Sequence, residues 1–140
     1  PSLWEQPAGK DKGGQRVEQV WFAGVHANIG GGYADAGLSD VAFQWIVERA
    51  AECGRALDLP YIAEEVQANL LGELRDSRTG FYRFLPRHVR KACAPPKGML
   101  TYESVHPSVI ERLTSGLAYC PGNLPPGLLR ASPEHAVAKP

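Results

Sequence analysis

Residues 17–38 read Val-Glu-Gln-Val-Trp-Phe-Ala-Gly-Val-His-Ala-Asn-Ile-Gly-Gly-Gly-Tyr-Ala-Asp-Ala-Gly-Leu, and the prediction for the whole chain is organised around them. The first part, Val17 to Phe22, is rich in β-branched and aromatic residues, which favour a buried strand. The second part, Gly24 to Gly37, surrounds His26 with glycines and predicts a tight loop. A histidine on a loop between a strand and a helix lies where α/β enzymes place catalytic groups.

The composition is that of an ordinary globular chain and disfavours several classes of function. The chain has 140 residues, of which 44% are hydrophobic and 21% charged, a size and balance typical of one domain or part of one. The net charge of +0 gives no electrostatic footprint for nucleic acid or for an anionic membrane. No apolar run approaches the roughly 20 residues that span a bilayer, so no transmembrane segment is predicted.

The N-terminus and the cysteines set two further expectations. Pro1 is not an initiator methionine and no signal peptide follows it, so we expect the chain to be a piece of a longer protein. Cys53, Cys93 and Cys120 are odd in number and form no Cys-x-x-Cys pair, which disfavours a disulfide framework and a zinc site. We expect all three to be buried or half-buried thiols.

Three helices are predicted after the His26 segment. Ser39 is the predicted N-cap of the first, whose apolar residues cover more than one face and therefore predict burial against a sheet. Gly54 is its predicted C-terminal stop. The second runs from Tyr61 to about Leu71, and the third begins at His106-Pro107. The apolar stripe of the third helix comprises Val105, Val109, Leu113 and Leu117.

Polar segments flank this folded part. Residues 1–15 predict a flexible lead-in, residues 16–120 the folded portion and residues 121–140 a Pro-rich tail. Residues 81–85 predict a short strand or extended segment, and residues 86–98 a solvated loop. A single strand has no partner for its backbone groups. We therefore expect the strand at 17–22 to pair with strands outside this chain rather than with 81–85.

His26 is the best candidate for a catalytic residue. Its imidazole titrates near neutral pH and can shuttle a proton for a serine nucleophile. The alternative is a structural histidine bonded to the loop backbone. The chain contains no Gly-x-Ser-x-Gly nucleophile elbow, so we expect it to be inactive as a hydrolase on its own.

The residues around His26 predict local structural roles. Asp35 and Asp40 follow it in the sequence, and their positions favour turn formation and helix-dipole stabilisation, respectively. The run Gly30-Gly31-Gly32 lacks the spacing of a nucleotide-binding loop. His106 is predicted to start a helix and His88 to lie on the surface. We therefore expect no metal and no organic cofactor.

Four motifs follow one another along the chain in a specific combination. They are Val20-Trp-Phe-Ala-Gly-Val-His-Ala-Asn-Ile-Gly-Gly-Gly-Tyr33 with Leu38-Ser-Asp40 and Gln44-Trp45, Asp76-Ser-Arg-Thr-Gly-Phe-Tyr-Arg83, Val105-His-Pro-Ser-Val-Ile-Glu-Arg-Leu113, and Tyr119-Cys-Pro-Gly-Asn-Leu-Pro125. Together they resemble the C-terminal part of an uncharacterised α/β-hydrolase domain family that includes type VI secretion phospholipase effectors.

The resemblance implies a C-terminal fragment of an α/β-hydrolase-like fold, made of the last strand, the catalytic-histidine loop, three helices and an irregular tail. It implies a serine hydrolase of the lipase or phospholipase type, acting on lipid or another ester. His26 would be the triad histidine, and Gly30, Gly31, Gly32 and Tyr33 would shape the loop that aims it. The serine and the aspartate would come from the upstream part of the same domain. The protein would be cytoplasmic, or exported without a signal peptide if it is a type VI effector.

The chain departs from the family at Asn28, where the family often has an aspartate two residues after the histidine. If that carboxylate tunes the histidine or its loop, the activity of this member differs. Two other functions stay open. The first is a non-catalytic binding module that uses the glycine loop and the basic segment 87–97. The second is a degenerate fragment of a hydrolase.

Overall fold

The computed structural model describes residues 6–7, 16–76, 80–84, 86, 89–94, 99–100 and 102–128. The chain divides into two compact units, Phe22–Pro86 on the one hand and Pro1–Trp21 with Arg87–Pro140 on the other. The described residues form four α-helices and two two-stranded sheets, one of them parallel, which is compatible with an α/β class. None of these helices has both the length and the apolar character needed to cross a membrane.

The predicted strand is present, but its partner lies within this chain. Strand β2 (Gln19–Trp21) pairs in parallel with β4 (Glu103–Val105), with Val20 opposite Ser104. The amide of His106 extends the ladder by donating to the Trp21 carbonyl at 2.9 Å. The expectation that the strand pairs only outside the chain is therefore wrong. A parallel partner is separated by a long crossover, and the short run at 103–105 carries too weak a pattern to reveal it.

A second small sheet involves the predicted lead-in. Strand β1 (Gln6–Pro7) pairs antiparallel with β3 (Met99–Leu100). Every other residue of 1–15 lies outside the described part of the chain, as do residues 129–140 of the predicted tail. Residues 121–128 form turns without helix or strand.

Helix α4 (Pro107–Thr114) begins where the sequence predicts. Its N-cap is His106, whose ring Nδ1 accepts from the amide of Ser108 at 3.3 Å. Pro107 at the first helical position needs no donor there and has a dihedral suited to the helix. His106 is thus the helix-start residue that the sequence predicts, whereas His88 lies outside the described residues.

The hydrophobic core of the unit Pro1–Trp21 with Arg87–Pro140 forms around α4. Val109 is 1% exposed and Ile110 5%, and Ala92 is also buried. Arg112 is buried as well, with its guanidinium 5.4 Å from the centroid of the Tyr119 ring. An aromatic face is a favourable neighbour for a cation that is removed from water.

Helix α2 (Gly37–Glu52) begins two residues before the predicted N-cap. The Asp35 carboxylate, rather than Ser39, satisfies the first turn, because its Oδ1 accepts from the Gly37 amide at 3.0 Å. Ser39 donates its hydroxyl to the Ala36 carbonyl at 2.8 Å. The predicted C-terminus is confirmed. Gly54 has φ +75° and its amide donates to the carbonyl of residue 51, one of the two bonds of a Schellman motif.

The predicted burial of this helix is wrong for one of its faces. Leu38, Val41 and Ala42 are buried, but Phe43 is 44% exposed and Ile46 54%. Apolar residues occupy both the buried and the exposed face of this helix. The pattern of apolar residues in the sequence therefore could not show which face is exposed.

Two later elements also differ from the sequence prediction. Helix α3 (Leu59–Glu65) is earlier and shorter than expected, because Asp58 caps it by accepting from the Tyr61 amide at 3.2 Å. A 3-10 helix (Gly80–Phe84) replaces the predicted strand or extended segment. Both differences arise in short, weakly patterned segments, where local hydrogen bonds decide the conformation.

The expected burial of the cysteines is wrong for two of the three. Cys53 and Cys120 are exposed, and only Cys93 is half-buried. Burial raises the pKa of the Cys93 thiol, and the nearby Glu103 carboxylate raises it further. The Glu103 carboxylate also accepts from the Cys93 amide and from the Trp21 indole, which links β4 to the segment 91–94.

Val109→Ala should destabilise the chain by about 1.5–3 kcal/mol, because it removes two methyl groups and leaves a cavity in a fully buried site. Urea unfolding followed by circular dichroism measures the change. The matched control is Val89→Ala, since Val89 is 50% exposed and its truncation should change stability by about 0.5 kcal/mol or less. Equal losses in the two variants would contradict this description of the core.

Candidate functional site

His26 is the first residue of a short helix rather than part of a loop. Helix α1 spans His26–Gly30, four residues after the end of β2. The loop predicted over Gly24 to Gly37 is therefore wrong for residues 26–30. The glycine content predicted an irregular backbone. The structure has a helix here instead, because the absence of side chains at the glycines permits the contacts that stabilise it. The His26 side chain is exposed.

The turn into α1 depends on a close approach at Gly24. Its φ is +133°, and a Cβ there would lie 2.5 Å from the Cβ of Asn28. No other residue type fits this space in this conformation. The Asn28 Oδ1 then accepts from the Val25 amide at 3.3 Å, which satisfies the N-cap residue of α1 from within the helix.

Asn28 makes a second bond, to a segment 45 residues further along the chain. Its side chain is 3% exposed, and its Nδ2 donates to the Glu73 carbonyl at 3.1 Å. The Glu73 amide in turn donates to the Asp35 Oδ2 at 3.1 Å. Both backbone groups of Glu73 are thus bound by side chains of the stretch 28–35, one on α1 and one just before α2.

The environment of Asp35 favours the ionised form of its carboxyl group. Hydrogen bonds from the amides of Gly37 and Glu73 lower the pKa of the Asp35 carboxyl below its ordinary value, and the Arg75 guanidinium lowers it further. Desolvation acts in the opposite direction but does not outweigh these bonds. Asp35 therefore has the turn-forming role that the sequence predicts, together with a contact to Glu73 that it does not predict.

The other predicted site residues follow α1 directly. Gly31 and Gly32 have φ of +84° and +114°, and Gly30 is the last residue of the helix. Tyr33 is half-buried, and the Arg75 guanidinium carbon lies 4.8 Å from its ring centroid. The Arg75 guanidinium also pairs with the Glu73 carboxylate at 2.8 Å. The segment that holds Asn28 therefore also contacts Tyr33.

The two aspartates that follow His26 in the sequence bind backbone amides. Asp35 accepts from Gly37 and Glu73, and Asp40 accepts from the Gln67 amide at 2.9 Å. Asp40 also lies in the first turn of α2, as the helix-dipole interpretation predicts.

Sequence reasoning missed the contribution of residues 69–75. The sequence analysis singled out Asn28 only as a departure from the family and predicted no role for Glu73 or Arg75. The only local signal is the turn-forming pair Asn69 and Gly72. No local pattern states which backbone carbonyl a distant asparagine binds.

The other unit contains a cleft of about 330 Å³, lined by residues 91–94 and 122–126. None of the predicted site residues lines it. Of the residues that line it, 91–94 belong to the basic segment 87–97, and Lys91 is the basic residue among them. Within the described ranges, no three His, Cys, Asp or Glu side chains gather in an arrangement suited to a metal ion.

The comparison with protein families adds one finding. Residues 1–49 match the family model described as T6SS, Phospholipase effector Tle1-like, catalytic domain. The family resemblance inferred from the sequence is confirmed for this part of the chain. Searches of the curated proteins and of the solved structures found no match.

The match covers about a third of the 140 residues. It includes β2, α1 and the greater part of α2, and therefore all five residues predicted for the site. The three later motifs, which begin at Asp76, Val105 and Tyr119, lie beyond it.

Asp35→Asn should lower stability at neutral pH and lose this effect in acid. The folded-state pKa of Asp35 is depressed, so its charge stabilises the fold above the ordinary carboxyl pKa of about 4 and ceases to do so as the pH falls through the folded value. Urea midpoints of both proteins should differ by a constant amount from pH 7 to 5 and converge below about pH 4. Asp58→Asn is the matched control, because asparagine caps a helix as well as aspartate does. A difference that grows in acid would contradict the assignment.

Proposed function

We propose that this chain supplies the histidine-bearing part of a serine hydrolase of the phospholipase type, within an α/β-hydrolase-like fold. The observation that carries the proposal is the position of His26, which is exposed at the start of α1, just after a strand, inside the segment that matches a phospholipase catalytic domain. The match supports a phospholipase-type function in general. The triad and the assignment of its histidine are our inference.

His26 would act as the general base and then as the general acid. A serine Oγ attacks the ester carbonyl while the His26 imidazole takes the serine proton. The same imidazole then gives this proton to the leaving alcohol oxygen, which leaves an acyl-enzyme. In the second half, His26 takes a proton from water, the hydroxide attacks the acyl carbonyl, and the proton returns to the serine. This chemistry needs no metal or organic cofactor.

We assign the serine and the orienting aspartate to an upstream part of the same domain. Two features support this assignment: the chain contains no nucleophile elbow, and the carboxylates of Asp35 and Asp40, which follow His26 in the sequence, bind backbone amides. Gly30, Gly31, Gly32 and Tyr33 would shape the segment after the histidine. We propose that residues 1–15 are a lead-in, that residues 16–120 are the hydrolase portion and that residues 121–140 are a tail.

The proposed substrate is a phospholipid or another lipid ester, and the upstream part of the domain is the proposed partner. The description of the matched family, a type VI secretion phospholipase effector, supports export of the protein by that route. The alternatives to this proposal are a non-catalytic binding module and a degenerate fragment of a hydrolase.

His26→Ala in the longest native product that contains this chain should lower the turnover of phospholipid and short-chain esters by about 10³-fold or more, because the serine loses its base. Labelling by a fluorophosphonate probe, which requires an activated serine, should fall with it. Circular dichroism should remain unchanged, since the side chain is exposed.

The matched control is His106→Ala, which removes another histidine, the N-cap of α4. The folded fraction of this variant should turn over substrate as the wild type does. Its free energy of unfolding should fall by about 1 kcal/mol, the usual loss for a helix cap. Turnover that survives His26→Ala would refute the assignment of the base. If neither protein is active on any ester, the binding or degenerate alternative is favoured.

A further inference from the structure

Residues 69–75, which we call the bracket, contact the His26 segment at three positions. The Asn69 amide donates to the Gly37 carbonyl at 2.9 Å. The backbone of Glu73 is bound on one side by Asn28 and on the other by Asp35. The Arg75 guanidinium lies over the Tyr33 ring at 4.8 Å. The bracket therefore spans the start of α2, the interior of α1 and the residue that follows the glycines.

The fit between the bracket and α2 is close. A Cβ at Gly37 would lie 2.8 Å from the Cβ of Asn69 and 3.3 Å from its carbonyl oxygen. On the opposite side, a Cβ at Gly72 would lie 3.1 Å from the carbonyl of Asn69 and 3.4 Å from the Leu38 Cγ. Small residues at these points allow the bracket to lie against α2, which fixes the position of Glu73 relative to α1.

We propose that the bracket is a positioning device for His26, and that it acts through the bond between the Asn28 amide and the Glu73 carbonyl. This inference rests on the proposed hydrolase function for its meaning, although the bracket itself can be measured without any turnover. Asn28 and Glu73 are positioning residues, since neither is assigned a contact with substrate.

Helix α1 is too short to fix its own orientation. A helix of five residues is not stable by itself, because nucleation costs more than a single turn returns. Its orientation is therefore set by tertiary contacts, and Asn28 is its buried residue. His26 lies two residues earlier on the same turn, so a change in the orientation of α1 moves the imidazole.

The choice of amide rather than acid follows from the two partners of Asn28. The Val25 amide needs an acceptor, and the Glu73 carbonyl needs a donor. An ionised aspartate supplies the first but not the second, and its oxygen would then face the Glu73 carbonyl. Loss of one partner at a buried site leaves a polar group unsatisfied, which is costly. The asparagine therefore suits this bracket, and the departure from the family at this position has a local reason.

Two isosteric substitutions test the bracket. Asn28→Asp removes the donor to the Glu73 carbonyl and keeps the acceptor for Val25. Asp35→Asn weakens the other hold on Glu73, since the two amides bind different carboxylate oxygens and the substitution replaces one of these oxygens by an NH2 group. In the 140-residue chain, amide hydrogen exchange at residues 25–30 should quicken by about tenfold or more in Asn28→Asp and by less in Asp35→Asn. The imidazole NMR signals of His26 should shift in both.

Glu73→Ala is the control, because it keeps both backbone bonds of Glu73 and removes the side chain with its ion pair to Arg75. Exchange at residues 25–30 should remain within about twofold of the wild type in this variant. Exchange that is unchanged in both isosteric variants would overturn the bracket, as would a change in Glu73→Ala as large as that in Asn28→Asp. Circular dichroism identifies a variant that fails to fold, and Asp35→Asn, which replaces an exposed residue, then carries the test.

Turnover in the longest native product separates the two proposals. Asn28→Asp should lower kcat by about 10–100-fold with KM unchanged, because a misplaced base affects the chemical step. If His26→Ala abolishes turnover but Asn28→Asp leaves kcat intact, the positioning role is wrong and the hydrolase stands. If His26→Ala retains turnover while Asn28→Asp quickens amide hydrogen exchange, the assignment of the base is wrong. The bracket then stabilises the local structure without a catalytic role.

Discussion

A single buried amide connects the parts of the 22–86 unit that surround His26. The Asn28 side chain accepts from the turn that begins α1 and donates to Glu73, 45 residues away in the sequence. Asp35 completes the arrangement by accepting from the amide of the same Glu73. Because a buried polar group without a partner is costly, these bonds restrict the segment to one arrangement. The short helix, the glycines and the start of α2 all depend on that restriction.

The proposed catalytic role of His26 would make use of this constraint. A proton-transferring group must be held close to its productive geometry, and rigid supports achieve this better than mobile loops. His26 lies on a helical turn whose buried neighbour is bound at both ends. The match to a phospholipase catalytic domain covers this same segment. The matched segment contains His26 and Asn28 but not Glu73.

The sequence predicted some elements well because their determinants are local. His106-Pro107 carries its own cap and its own starting dihedral, and Gly54 its own left-handed stop. The turn role of Asp35 follows from bonds two residues apart. The N-cap of α2 was misplaced at Ser39 because the actual N-cap, Ala36, has no capping side chain, and the Asp35 carboxylate binds the Gly37 amide instead. The histidine loop was misassigned because glycine content predicts irregular backbone whether or not a distant residue orders it.

Local sequence was enough to predict a strand within residues 17–22, the start of α4, the stop of α2 and the family that residues 1–49 match, while the catalytic role of His26 stays a prediction. Each of these depends on neighbouring residues or on a contiguous motif. The tertiary structure alone decided the parallel partner of β2, the helical state of residues 26–30 and the contact between Asn28 and Glu73. These join residues that are far apart in the chain, and a hydrogen bond between distant groups depends on packing that no local pattern records.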